Sequence, residues 1–203
     1  MMKTGKYFIV IFLAGVLFTA CKNKQNDSTT IANDANAQKI DSAQDNTSAS
    51  QHSTMPASVT ESDSKFMVEA ADGGMAEVQM GEIASREGVD QRVKEFGEMM
   101  QKDHMKANDE LKKLAKDKNV TLPASISENN MDNKHKLMQK TGKDFDKTYM
   151  NMMVDDHEKD IKEFKDAADK CNDADVKAWA EKTLPVLQKH LDSAKAIKKA
   201  LNL

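Results

Sequence analysis

Apolar residues recur at helical spacing in four stretches of the chain, 62–87, 89–119, 142–171 and 173–202, each close to thirty residues long. Gly88 separates the first two, and Cys171-Asn172-Asp173 separates the last two, so each pair is predicted to fold back as a tight antiparallel hairpin. Between the hairpins lies a longer connection, 120–141. There Leu122-Pro123 stops a helix, and 133–140 is predicted to form a short one. The pattern predicts an all-α fold: an antiparallel four-helix bundle with a short extra helix in the connection between helices two and three.

The same periodicity says which side chains point inward. In helix two the stripe is Val93, Phe96, Met100, Ala107, Leu111 and Leu114, and at about 100° per residue His104 lies within roughly 40° of its centre. Helix three repeats this with Tyr149, Met153, Phe164 and Cys171, which gives His157 the same angular place. Helix four presents Val176, Thr183, Leu187, Leu191, Ala194 and Leu201, with His190 nearer the edge of the stripe. Helix one carries Glu77 on a line of small residues, Ala70, Gly73, Gly81 and Ala84, that lets a neighbouring helix come close.

Three prolines and eight glycines in 203 residues, with 31% charged residues, agree with helix over sheet, and 39% hydrophobic residues is too few for a polytopic membrane protein. Acidic residues outnumber basic ones, 33 to 30, which disfavours nucleic acid as a partner. No nucleophile-and-base arrangement, phosphate loop or zinc-finger spacing is present.

Residues 1–60 read differently. Lys3 and Lys6 precede a short apolar run that ends at Phe18-Thr19-Ala20-Cys21, the layout of a lipoprotein signal at 1–20 cleaved before a lipidated Cys21. Removing Lys3 and Lys6 leaves 28 basic against 33 acidic residues, a net charge of −5. Lys22 rather than Asp follows the cysteine. In a Gram-negative envelope this implies sorting to the outer membrane. With Cys21 lipidated, Cys171 has no intrachain partner and reads as a small apolar residue. Residues 22–60 are mostly Asn, Ser, Thr, Asp, Gln and Ala, without an apolar period. They are expected to be a disordered tether, a coil of roughly 35 Å root-mean-square span, ahead of a folded domain at 61–203.

Helices two and three share Met-Met-x-x-Asp-His-x-Lys, at Met99 to Lys106 and Met152 to Lys159, as if both offered the same side chains to one centre. Other marked segments are Ala70-Ala71-Asp72-Gly73-Gly74-Met75-Ala76-Glu77-Val78, Arg92-Val93-Lys94-Glu95-Phe96, Phe145-Asp146-Lys147-Thr148-Tyr149-Met150 and Thr183-Leu184-Pro185-Val186-Leu187-Gln188-Lys189-His190-Leu191. With Asp103-His104 and Asp156-His157, these make the chain resemble a family of bacterial envelope proteins known as domain of unknown function 4142, within the ferritin-like superfamily. The resemblance implies a ferritin-like bundle over nearly all of 61–203. It brings no established activity.

His104, His157 and His190 fall near the midpoints of their helices and Glu77 slightly past its own, so the four are expected to meet in one layer whichever way each helix runs. Three imidazoles and a carboxylate suit zinc, copper, iron or manganese. Asp103 and Asp156 point about 100° away from the neighbouring histidines, which suits partners that orient ligands from behind. The superfamily's di-iron pattern needs two Glu-x-x-His pairs. Here the residues three before the histidines are Gln101, Val154 and Leu187, which argues against a ferritin-type redox enzyme. Two readings stay open at this point: a metal-binding or stress-related envelope module, and a structural or protein-interaction protein, with an envelope partner, whose buried His and Glu network fixes helix packing.

Overall fold

The computed structural model describes residues 27–47 and 59–203, and these form six helices and no strand. They are α1 (Ser28–Thr47), α2 (Glu61–Glu87), α3 (Gln91–Asp117), α4 (Glu128–Met138), α5 (Gly142–Lys170) and α6 (Ala174–Leu201). The signal segment 1–20 and Cys21 lie outside the described residues.

Three of the four long helices, α2, α3 and α6, start where a side-chain oxygen takes up the first free N–H groups, while Thr141 ahead of α5 makes no such bond. Thr60 Oγ1 accepts from Asp63 N–H (3.2 Å) ahead of α2, Asp90 Oδ1 from Arg92 N–H (2.9 Å) ahead of α3, and Asp173 Oδ1 from Asp175 and Val176 N–H (2.9 and 3.1 Å) ahead of α6. The short helix α4 begins five residues before its predicted start because Ser127 Oγ accepts from Asn130 N–H (3.3 Å) and caps it there.

Within each hairpin the helices pack closely, α2 on α3 and α5 on α6; across hairpins α2 meets α5 and α3 meets α6. Two buried aspartates fix the relative direction. Asp63, near the start of α2, accepts from the backbone N–H groups of Asn172 and Asp173 in the α5–α6 turn (3.1 and 2.9 Å). Asp146, near the start of α5, accepts from Val89 and Asp90 in the α2–α3 turn (2.9 Å each). Neighbouring helices are therefore antiparallel, and α3 and α5 run the same way on a diagonal. The chain leaving α3 must travel the length of the bundle before α5 can begin. It does so through α4, which lies against α2 and α5 and is held by Asp72, acceptor from Ser127 N–H (2.6 Å) and Asn130 Nδ2 (2.9 Å).

The reciprocal clamps expose an internal repeat. Adding 83 to a residue number in the first hairpin gives its counterpart in the second: Asp63 and Asp146, Asp90 and Asp173, Val93 and Val176, Phe96 and Trp179, Met67 and Met150, Ala84 and Ala167. All of these side chains are buried except Asp90, which is half-buried. The match breaks where the helices come closest. A Cβ on Gly81 would stand 2.8 Å from Gly97 O, and one on Gly97 would stand 2.7 Å from Gly81 O, so α2 and α3 touch backbone to backbone. The second hairpin carries Phe164 and Ala180 at those places.

Methionine fills much of the core: Met67, Met80, Met100, Met150 and Met153 are fully buried. Each such side chain contributes roughly 2 kcal/mol by leaving water. Cys171 is half-buried at the end of α5 rather than fully inward, and burial pushes its thiol up to about 12.

The expectation of a disordered tether fails for 28–47. These residues form α1, which docks on α2 and on the chain that follows α3. Asn36 is 3% exposed, and its amide pairs with both backbone groups of Thr121: Nδ2 donates to the carbonyl (2.9 Å) and Oδ1 accepts from the N–H (2.7 Å). Lys39 Nζ adds bonds to Asn119 O (3.0 Å) and Thr121 Oγ1 (2.7 Å), and Ala32 is buried beneath. A helix held mainly by polar side chains and one small apolar residue shows no apolar stripe, and that is why periodicity misses it.

Candidate metal centre

Glu77 on α2, His104 on α3, His157 on α5 and His190 on α6 come together inside the bundle, one from each long helix. The ring centroids of the histidines stand 5.2, 5.3 and 5.7 Å apart, and the three offer ring nitrogens within 4.8 Å of one another. His157 and His190 are fully buried, His104 and Glu77 almost so.

Each imidazole is held from behind. Nδ1 of His157 faces Met153 O at 2.9 Å. A carbonyl can only accept, so that nitrogen carries the proton and Nε2 is a bare lone pair. Nε2 of His190 donates to Asp103 Oδ2 at 3.1 Å, which leaves Nδ1 bare. Nδ1 of His104 lies 3.0 Å from Glu77 Oε2. With Glu77 ionised it donates there, and Nε2 of His104, buried and without a hydrogen-bond partner, is the third lone pair.

Nε2 of His157 and Nδ1 of His190 face each other at 3.3 Å. Only a proton or another cation between them makes that contact favourable. Burial pushes all three imidazoles down to about 4, so a proton there is disfavoured near neutral pH. The separation equals the edge of a tetrahedron of nitrogens about 2.0–2.1 Å from a zinc-like ion, roughly 3.3 Å. A proton on each far nitrogen, with carboxylate or carbonyl behind it, is how proteins orient histidine toward a metal.

Glu77 does not stand on the lone-pair side. It faces Nδ1 of His104 and, through Oε1 at 3.5 Å, Nδ1 of His157. Burial pushes its carboxyl up to about 7 against the opposing pull of His157. Its Oε1 has no hydrogen-bond partner, and neither does the fully buried Tyr149 hydroxyl. Asp103 stands behind His190. Asp156 instead faces a cavity beside Glu77, and burial pushes it up to about 6.

Helix midpoints bring the four residues to one level; three other participants escape that reasoning. The Met153 carbonyl is invisible in any list of side chains. The unsatisfied Tyr149 hydroxyl looks like ordinary core. Asp160, which shares the cavity with Glu77 and Asp156, carries the one usable signal, a carboxylate 83 residues after Glu77.

The profile of domain of unknown function 4142 (DUF4142) matches residues 48–197. The chain belongs to the DUF4142 family. Its matched region takes in α2 to α5, nearly all of α6 and all four convergent residues. No curated protein and no solved structure matches this DUF4142 chain.

Proposed function

We propose that this protein is an envelope-tethered, ferritin-like four-helix bundle that binds one transition-metal ion through His104, His157 and His190. The observation that carries the reading is the set of three buried imidazoles with ring nitrogens within 4.8 Å of one another, two of them facing at 3.3 Å, and an acceptor behind each ring. Glu77 then orients His104, as Asp103 orients His190, rather than binding the ion directly. The long crossing from α3 to α5 supports the ferritin-like reading, since such bundles have a single long crossover. Neutral imidazoles suit zinc, copper or iron, with manganese the weakest binder. The absence of both Glu-x-x-His pairs keeps the proposal to binding and not to oxygen chemistry.

The rival is a network that only sets helix packing. It would leave His104 Nε2 as an unpaired buried atom, costing about 1–3 kcal/mol with nothing in return. The test is elemental analysis of the full chain purified in detergent without a polyhistidine tag, beside His157→Ala. One ion per chain, lost in the variant, is the expected result. Equal metal in both removes the proposal.

Cys21, lipidated after loss of residues 1–20, is the proposed anchor, in an outer membrane if the envelope is Gram-negative. Cys21→Ser should abolish incorporation of labelled fatty acid and release the protein from membranes.

A further inference from the structure

Between α2 and α5 lies a cavity of about 210 Å³ that reaches from the surface to Glu77 and His104. The internal repeat explains why it is there. The counterparts of His157, His190, His104 and Glu77 in the other hairpin are Gly74, Ala107, Leu187 and Asp160, and all four line this cavity. Three imidazoles fill one set of these positions, His104 from the first hairpin and His157 and His190 from the second; the counterpart set is a leucine, a glycine and an alanine, and the space left over is the cavity. One feature is retained: a carboxylate, Asp160 in place of Glu77.

From mouth to floor the wall is acidic. Glu69 is exposed at the rim, Glu163, Asp156 and Asp160 are half-buried further in, and Glu77 closes the floor. Lys159, exposed and 3.3 Å from Glu163, is the single basic side chain other than His104 on the lining. The floor itself points to a ligand: Glu77 lines the space and is 3% exposed, and its Oε1 has no hydrogen-bond partner.

We infer that this cavity is a cation-loading site, which takes a hydrated divalent metal ion between Asp156, Asp160 and Glu77 and delivers it to the imidazoles. The inference rests on the metal-binding reading above. Among the described residues, only the histidines form a group of three tight enough to share a bare ion. The carboxylates are set wider, so the ion is held through its water shell, for which a space of this size has room for several molecules. Glu77 joins the two stations: its carboxylate meets His104 through Oε2 and also lines the cavity. An acidic, low-dielectric funnel raises both the local cation concentration and the rate of capture.

The test follows cobalt(II) uptake by the full chain in detergent, by stopped flow, through the visible band that imidazole ligation gives. Its amplitude reports the histidine site and its rate reports the route. Asp156→Asn with Asp160→Asn should slow association about tenfold, and raised salt should slow the wild type more than this variant. Lys159→Gln, at an exposed position that does not disturb the core, should speed association about twofold. Opposite shifts support the route, since a merely structural disturbance has no reason to follow the sign of the charge removed. Wild-type rates in both variants, or slowing in both, overturn it while the site stands. If the wild-type chain develops no band, the metal-binding reading falls and the loading site falls with it.

Discussion

The two hairpins share a framework and differ in chemistry. Asp63 and Asp146 clamp each other's turns with the same two N–H groups, and the helices after those turns are capped by Asp90 and Asp173. At the level of the histidines the likeness ends: His157 is matched by Gly74, His190 by Ala107 and His104 by Leu187. The clamps and caps are the same in both halves, while the positions facing the centre differ: His104 from the first hairpin meets His157 and His190 from the second, and the counterpart place is open. The fold does not require the site; a handful of side chains make it.

The largest expected effect tests the shared framework. Asp63→Ala and Asp146→Ala each strand two turn N–H groups that had a charged acceptor, and each should cost about 4 kcal/mol in urea unfolding. Near-equal losses sharpen the comparison. A cost several times greater at one clamp would mean that the halves are not mechanically alike.

Acid tests the side that carries the imidazoles. Folded, the three histidines titrate near 4, against 6.5 for free histidine, so the unfolded chain holds more protons between those values and stability falls as pH drops through that window. Glu77, raised to about 7, works the other way: the folded chain keeps its proton between 4.5 and 7 and gains stability as pH falls. Asp156, raised to about 6, and Asp160, raised by burial, act in the same sense as Glu77 and offset the histidines in the wild type. In metal-free protein carrying Asp156→Asn and Asp160→Asn the three histidines outweigh Glu77, and stability should fall by about 3 kcal/mol between pH 7 and pH 5. A flat profile in that variant by thermal unfolding would show that the rings are not held neutral.

Gly97→Ala places a methyl 2.7 Å from Gly81 O and should cost about 2 kcal/mol, because backbone on both sides must move. The counterpart Ala180 already carries that methyl, which shows that the second hairpin is spaced for it. At the small end, Gly74→Ala meets the Asn108 amide, the far end of a side chain able to turn aside, and should change stability by less than about 1 kcal/mol. A larger loss would mean that Asn108 is fixed by its surroundings.

Much of this was legible in the sequence because a bundle writes its contacts as period. The four long helices follow from apolar spacing, and the turns from Gly88 and Asn172-Asp173. The meeting of His104, His157 and His190 follows from their places along helices of equal length. What escaped is what period does not encode. α1 is docked by the Asn36 amide on the backbone of Thr121, a pairing between residues 85 apart with no apolar trace. Asp156 shares its helix with His157 and a motif with Asp103, yet a different helix faces each. Asp103 meets His190 on α6, whereas Asp156 looks toward α2 and the cavity. Sequence spacing gives the direction of a side chain on its own helix and says nothing of what the neighbouring helix brings.

With the anchor proposed at Cys21, the docking of α1 would also reset the distance between this bundle and a lipid surface. A free coil over 22–60 would let the bundle range over roughly 35 Å. With α1 seated, the anchor proposed at Cys21 is joined to Asp27, whose carboxylate accepts from Glu128 N–H at 2.8 Å, by six peptide steps that reach about 21 Å at full stretch. The protein would then ride as a moored body with one flank turned to the bilayer, and unseating α1 would lengthen its line from six peptide steps to thirty-nine, as far as Thr60.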